Sequence, residues 1–210
     1  ISFDSTWSYF QNLSVTEGYC GKIILANWFQ CKNLDSGIAA ESAGVKIDEL
    51  NLNGKEMNIK GDVTVDGNID IAHGKLAVNG KVNQTYGTMN LDGGTLDISG
   101  DYIIAKEGKN STTDEFEYQY AYAAGLQMSK EADVLNIGGD FYIYGDDGKC
   151  TLTAGTLTVK GNFTQKGTDS YTDGNFKATG THKVILAGTG EQRISFDSTW
   201  SYFQNLSVTE

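Results

Sequence analysis

The sequence predicts an all-β chain wound as a parallel β-helix, a β-solenoid with about 20 residues in each three-strand coil. Three observations carry this prediction. From Gly54 to Ala105 one short pattern is written eight times: EMNIKG, DVTVDG, NIDIAHG, KLAVNG, KVNQTYG, TMNLDGG, TLDISG and DYIIA. In each copy polar and apolar residues alternate, so pairs such as Met57 and Ile59, Val63 and Val65, or Leu76 and Val78 share one side of a strand. The glycine closing every third module falls at Gly61, Gly80 and Gly100, intervals of 19 and 20 residues. Strands this short bury an apolar face only when coils of three stack on one another, at about 4.8 Å per coil. Antiparallel hairpins are the rival reading, with Asp66-Gly67 and Asn79-Gly80 as their turn signals. The coil-sized period favours the helix.

Composition fits this class. The chain has 210 residues, no proline and 26 glycines, as expected of many tight corners between strands whose every N–H is needed for pairing. Sixteen basic against 27 acidic residues give a net charge of −11, and Arg193 is the one arginine. That balance argues against nucleic acid or an anionic membrane as partner, since both demand clustered cations. No apolar run reaches the length of a membrane span, and no signal peptide opens the sequence, which reads as an excised piece of a longer protein.

Taken in order, residues 1–17, ISFDSTWSYFQNLSVTE, return unchanged as residues 194–210. Coils of about 20 residues are therefore nested in a unit of 193, and the parent chain reads as a tandem array of near-identical units. The aromatics of this segment, Trp7, Tyr9 and Phe10 with their counterparts Trp200, Tyr202 and Phe203, are the candidate seal between adjacent units. Residues 18–53 carry the weakest pattern and read as an irregular coil. KIILANW and VKIDELNLNG are its strands, and the stretch from Ile38 to Ala43 is the one faintly helical run. Trp28 and Phe29 serve the core or face a ligand.

The rhythm stops after Ala105, and residues 106–125 read as a looped excursion. Gly100 to Gly139 is 39 residues, close to two coil periods. Phe116, Tyr118, Tyr120 and Tyr122 recur at period two opposite Glu115, Glu117 and Gln119. Two readings fit: a buried aromatic ladder, or a platform on which sugar rings dock. Tyr118, Tyr120, Tyr122 and Trp28 are accordingly the candidate carbohydrate contacts. The modules resume as VLNIGG, DFYIYG, KCTLTAG, TLTVKG and NFTQKG, with a second excursion at TDSYTDG before HKVILAG leads into the repeated segment.

Sites of other kinds have little to stand on. Cys20, Cys31 and Cys150 are odd in number and widely spaced, which fits buried small residues better than a disulfide or zinc framework, although Cys20 and Cys31 are near enough to bridge a loop. The acidic corners Asp92-Gly93-Gly94 and Gly145-Asp146-Asp147-Gly148 match neither an EF-hand nor the calcium-binding Gly-Gly-x-Gly-x-Asp repeat. His73 sits in a corner and His182 opens a strand, neither within a catalytic motif. The sequence thus offers no catalytic residue, cofactor site or metal site, and a polysaccharide lyase or hydrolase is the least favoured reading.

The phrases KLAVNGKVNQTYGTMNLDGGTLDISGDYII, GLQMSKEADVLNIGGDF, LTAGTLTVKGNFTQKG and NFKATGTHKVILAGTGEQRISF, in that order, resemble long repeats of large secreted or surface-anchored proteins of Gram-positive, clostridia-like bacteria. The resemblance spans most of residues 50–210 and is poor over 18–49. It implies an extracellular, stalk-like or adhesive role. The duplicated ends 1–17 and 194–210, which want the same neighbours, make adjacent copies of the repeat the expected partners, head to tail. A host or environmental glycan is the alternative partner, through a carbohydrate-binding module. At about 8–10 coils, one unit is expected to add about 40–50 Å of length.

Overall fold

The computed structural model describes residues 8–13, 23–25, 28–34, 38–42, 45–167 and 174–209. Among these, every strand pairing is parallel except one surface hairpin, and the strands wind as a parallel β-solenoid with three faces. Seven complete coils lie between Val45 and Val208. The one helical turn among the described residues, Asp147–Lys149, is a 3-10 turn at a corner. No helix among the described residues is long and apolar enough to cross a membrane.

The strand Val63–Asp70 shows how a coil is made. Val63 and Val65 lie on face 1, between Val45 and Ile47 of the preceding coil and Val82 and Gln84 of the next. Ile69 lies on face 2, between Leu50 and Met89. The chain turns through Ala72 and His73, both at positive φ, and enters Lys75–Asn79 on face 3, between Glu56–Lys60 and Thr95–Ile98. Gly74 N–H donates to the Ile71 carbonyl at 2.8 Å to close that turn.

Two corners behave differently from the third. Between faces 1 and 2 the strand runs straight through Gly67, and the bend comes from a slip in register after Val65. Gly67 is required there, because a Cβ would lie 1.7 Å from the Asp48 carbonyl oxygen of the coil below. Between faces 3 and 1 the glycines stack: Gly100 N–H bonds the Gly80 carbonyl, Gly139 that of Gly100, and Gly161 that of Gly139, at 2.8–2.9 Å. The residue after each glycine carries the corner onward. Asp62 Oδ1 accepts from Lys81 N–H, Asp101 Oδ1 from Asp140 N–H, Asp140 Oδ1 from Asn162 N–H, and Asn162 Oδ1 from Arg193 N–H.

Alternation fills the interior. On face 3 the inward pairs are Met57 and Ile59, Leu76 and Val78, Leu96 and Ile98, Leu135 and Ile137, Leu157 and Val159, all buried. On face 1 the inward column changes from Val63 and Val82 to Tyr102, Phe141 and Phe163. Their rings pack at 5.7 and 5.2 Å, and Phe176, Phe196 and Phe203 join them. Each such side chain taken fully out of water contributes about 1.5–3 kcal/mol, so the core is continuous along the axis rather than closed within one coil.

Several expectations are corrected. Gly100 to Gly139 is one coil, not nearly two: Tyr102 pairs directly with Phe141. The stretch read as faintly helical is the strand Ile38–Ser42, paired with Ile23–Leu25 and Glu56–Lys60, so the coil pattern includes the strands Ile23–Leu25, Trp28–Leu34, Ile38–Ser42 and Val45–Asn51. Phe29 needs no correction: it is in the core, as the first of its two readings has it. The second excursion, residues 168–173, lies outside the described residues.

Candidate functional site

The chain leaves the coil at Ala105 and re-enters it at Ala121, which bridges to Gly145. Between them Lys106–Lys109 pairs antiparallel with Phe116–Gln119, from Lys106 opposite Gln119 to Lys109 opposite Phe116. Asn110 forms the tip, its Oδ1 accepting from Thr112 and Thr113 N–H at 2.9 and 3.1 Å. The hairpin lies over face 1. Tyr118 packs on Tyr142 at 4.8 Å, and Lys81 Nζ meets Glu107 Oε1 at 3.2 Å. Ile103 points out of the coil in register with Tyr142, yet is only 4% exposed because the hairpin covers it. A small cavity of about 100 Å³ remains beneath, lined by Asp101, Ile103, Tyr118, Asp140, Tyr142 and Thr164. Burial and the neighbouring Tyr144 and Asp197 push the Tyr142 phenol up to about 12.

The tyrosines of the excursion therefore line no core ladder; that reading is overturned, and the interior ladder is Tyr102, Phe141 and Phe163. They do not form one flat platform either. Phe116 and Tyr118 meet edge to face at 80°, Tyr118 tilts 45° from Tyr142, and Tyr120 stands 65° from Tyr144. Tyr120 and Tyr122 lie past the end of the strand, and Phe116 and Tyr122 are the most exposed of the group at 61% and 67%. Trp28 opens the strand Trp28–Leu34, four coils before the one that carries the hairpin, so it is not brought together with the tyrosines.

The two copies of the repeated segment meet different surroundings. In the second, Ile194–Phe196 pairs with Phe163–Gln165, Tyr202 bridges to Lys177, and Asn205–Val208 pairs with Lys183–Leu186. This makes a complete coil that has Phe203 packed on the core and Trp200 and Tyr202 half exposed. In the first, Phe10–Leu13 pairs with Cys31–Leu34, Phe10 packs against the core and Tyr9 is exposed. Trp7 lies outside the described residues, as does Cys20; Cys31, opposite Leu50, and Cys150, next to Thr151 opposite Gln127, both lie along face 2 but in different coils.

A surface feature that sequence reasoning missed lies on face 3. A trough of about 700 Å³ crosses four successive coils, with Ala77, Asp97, Asn136 and Thr158 along one column and Asn79, Ser99, Gly138 and Lys160 along the next. Its side chains brace one another. Asn136 Nδ2 donates to Asp97 Oδ1 at 2.8 Å, Lys75 Nζ meets Asp97 Oδ2 at 2.7 Å, and Ser99 Oγ donates to Asn79 Oδ1 at 3.0 Å. Burial alone would raise the Asp97 pKa, but the bonds from Lys75 and Asn136 outweigh it and hold the carboxylate below its usual range. Gly138 keeps the floor low: a Cβ there would lie 2.3 Å from the Ser99 carbonyl. These residues are 20 to 39 positions apart, so no local motif announces them.

The acidic corners are occupied by the protein's own groups. Asp133, fully buried, accepts from Gly93, Ser129 and Lys130 N–H; Asp92 pairs with Lys130; and Asp146 accepts from Gly148 and Ala123 N–H. No cluster of three or more His, Cys, Asp or Glu placed to hold a metal occurs among the described residues. His73 is exposed in its turn, whereas His182 is buried with both ring nitrogens lacking a partner. Burial pulls its pKa down to about 4, against a smaller upward pull from Asp133.

Geometry thus defines a β-solenoid with an aromatic hairpin on one face and, on another, an open trough in which polar side chains stand over an apolar floor that includes Val78, Ile98 and Ile137. Comparison of the chain with protein-family models, with curated proteins and with solved structures returns no match in any of the three.

Proposed function

We propose that this chain is a structural and adhesive repeat, a stiff solenoid segment of a bacterial extracellular surface protein that works without catalysis. The observation that supports it best is that the second copy of the repeated segment completes a coil in series with those before it. Position 194, where the sequence period restarts, is therefore no boundary in the pairing. A tandem array of such units extends one sheet-lined core along one axis, as a stalk does. The acidic composition keeps such a filament soluble and discourages lateral association. Placement outside the cell rests on the resemblance to clostridia-like surface repeats.

Electron microscopy of a protein carrying two consecutive 193-residue units tests this reading. A rod longer by about 40 Å than the single unit, at unchanged width, supports it. Two globular bodies that pivot on a linker would sink it.

A carbohydrate-binding module is the second reading, and the exposure of Phe116 and Tyr122 favours it. A pull-down on insoluble polysaccharides with the Tyr118→Ala, Tyr120→Ala, Tyr122→Ala variant beside the parent checks it. Binding lost in the variant supports the hairpin as the site.

A further inference from the structure

We infer that the trough on face 3 is a binding site for a neutral, hydroxyl-rich oligosaccharide lying along the solenoid axis, held by Asn79, Asp97, Ser99, Asn136, Thr158 and Lys160. This names the contact surface of the adhesive repeat proposed above and rests on the adhesive part of that reading. Four coils span about 14 Å, the length of a few sugar rings in series, and the volume of about 700 Å³ falls among ligand sites of about 300–1,000 Å³.

The lining explains the ligand class. The bonds among Asp97, Asn136 and Lys75, and between Ser99 and Asn79, fix the side chains before a ligand arrives. They leave capacity on the outer side. Asn79 Nδ2 and the Thr158 hydroxyl remain as donors, Asn136 Oδ1 and the second lone pairs of Asp97 as acceptors, and Lys160 Nζ closes one end. Mixed donors and acceptors at one coil spacing suit hydroxyl groups, each of which both gives and takes a hydrogen bond. The Asp97 charge is matched by Lys75, so Lys160 is the one unmatched charge among the described residues at the trough, and hydroxyl contacts must carry most of its length.

A peptide strand is the poorer fit. Lys75–Asn79, Thr95–Ile98, Val134–Ile137 and Thr156–Val159 are each paired on both sides, so no backbone edge is open to receive one. Ligand contact must come from side chains alone.

The test is isothermal titration of the 210-residue chain with neutral β-1,4-linked hexasaccharides of glucose, mannose and N-acetylglucosamine. Two variants fill the trough from outside the core, Ala77→Trp and Thr158→Trp, and the triple tyrosine variant serves as control; circular dichroism reports folding of each. The expected result is binding of at least one hexasaccharide that weakens on the order of tenfold or more in either trough variant. The triple tyrosine variant keeps it. No binding by the parent chain, binding unchanged in both folded trough variants, or binding lost only in the tyrosine variant would each overturn the inference. Rod formation by two units combined with no glycan binding would overturn the trough and leave the stalk standing.

Discussion

Two coils of this solenoid differ twofold in length and not at all in rise. From Gly61 to Gly80 the chain spends 19 residues on one turn, and from Gly100 to Gly139 it spends 39. Both begin with a glycine bonded to the glycine or asparagine carbonyl of its neighbour coil, and in both the following aspartate accepts the N–H of the next corner. Most of the additional residues of the longer coil hang outside as the Lys106–Gln119 hairpin. What fixes a coil is therefore its corners and its inward side chains. The length of chain between corners is free to vary, since enlarging a surface loop adds little entropic cost.

The largest way to break this comparison is through the interior. Phe141→Ala, in the column shared with Tyr102 and Phe163, should cost about 3–5 kcal/mol in urea denaturation. The matching truncation in the regular coil, Val63→Ala, should cost about 2 kcal/mol. Equal losses would mean that the aromatic column adds nothing over the valine column, not even its greater buried volume.

Next comes His182. Its ordinary pKa of 6.5 applies to the unfolded chain, and burial lowers it to about 4 in the fold. Between these values the unfolded chain holds more protons, so stability falls as pH drops from 6.5 towards 4, by about 3 kcal/mol. His182→Phe, beside Phe176, should remove that share of the acid sensitivity while leaving stability at pH 7 the same or higher, because neither ring nitrogen has a partner to lose. Identical pH profiles for parent and variant would contradict the burial argument.

Replacing residues 106–120 by a short turn should turn the long coil into a regular one. Circular dichroism should keep its parallel-sheet signature, and the loss should be about 2 kcal/mol, the exposure of Ile103 being the main cost. Loss of cooperative unfolding would show the hairpin to be part of the coil. The smallest effects are expected at the corners. Asp62→Ala and Asp101→Ala each leave one backbone N–H without its acceptor, and each should cost about 1 kcal/mol. A clear inequality would mean that the two corners are not the same device.

Much of this was legible in the sequence where structure is local. Alternation gave the inward residues from Met57 to Val78, and the glycine spacing gave the corner between faces 3 and 1. The corner between faces 1 and 2 was not legible, because Val63–Asp70 passes through Gly67 without a turn and bends by slipping register. Ile38–Ser42 reads as faintly helical because Ala39 and Ala40 favour a helix when isolated, whereas pairing with Glu56–Lys60 makes it a strand. The aromatics of 116–122 read as one strand face, but the strand ends at Gln119 before Tyr120 and Tyr122, and period two cannot tell an outer hairpin from an inner wall. The inner wall was written instead in the residue two past each corner glycine, Tyr102, Phe141 and Phe163. The trough could not be found by any local reading, since Asp97 meets Asn136 across 39 residues.

The central claim is that coil stacking continues through the point where the 193-residue period restarts. Hydrogen exchange of residues 194–209 tests it most directly, measured in this chain and again in a protein carrying two full units. As a terminal coil this segment leaves Leu206 44% and Val208 73% exposed. With a following unit stacked on it, its strand amides should gain protection to the level of Lys183–Leu186 on the adjoining coil. Unchanged, rapid exchange of Asn205–Val208 in the two-unit protein would contradict the claim and make each unit a separate body.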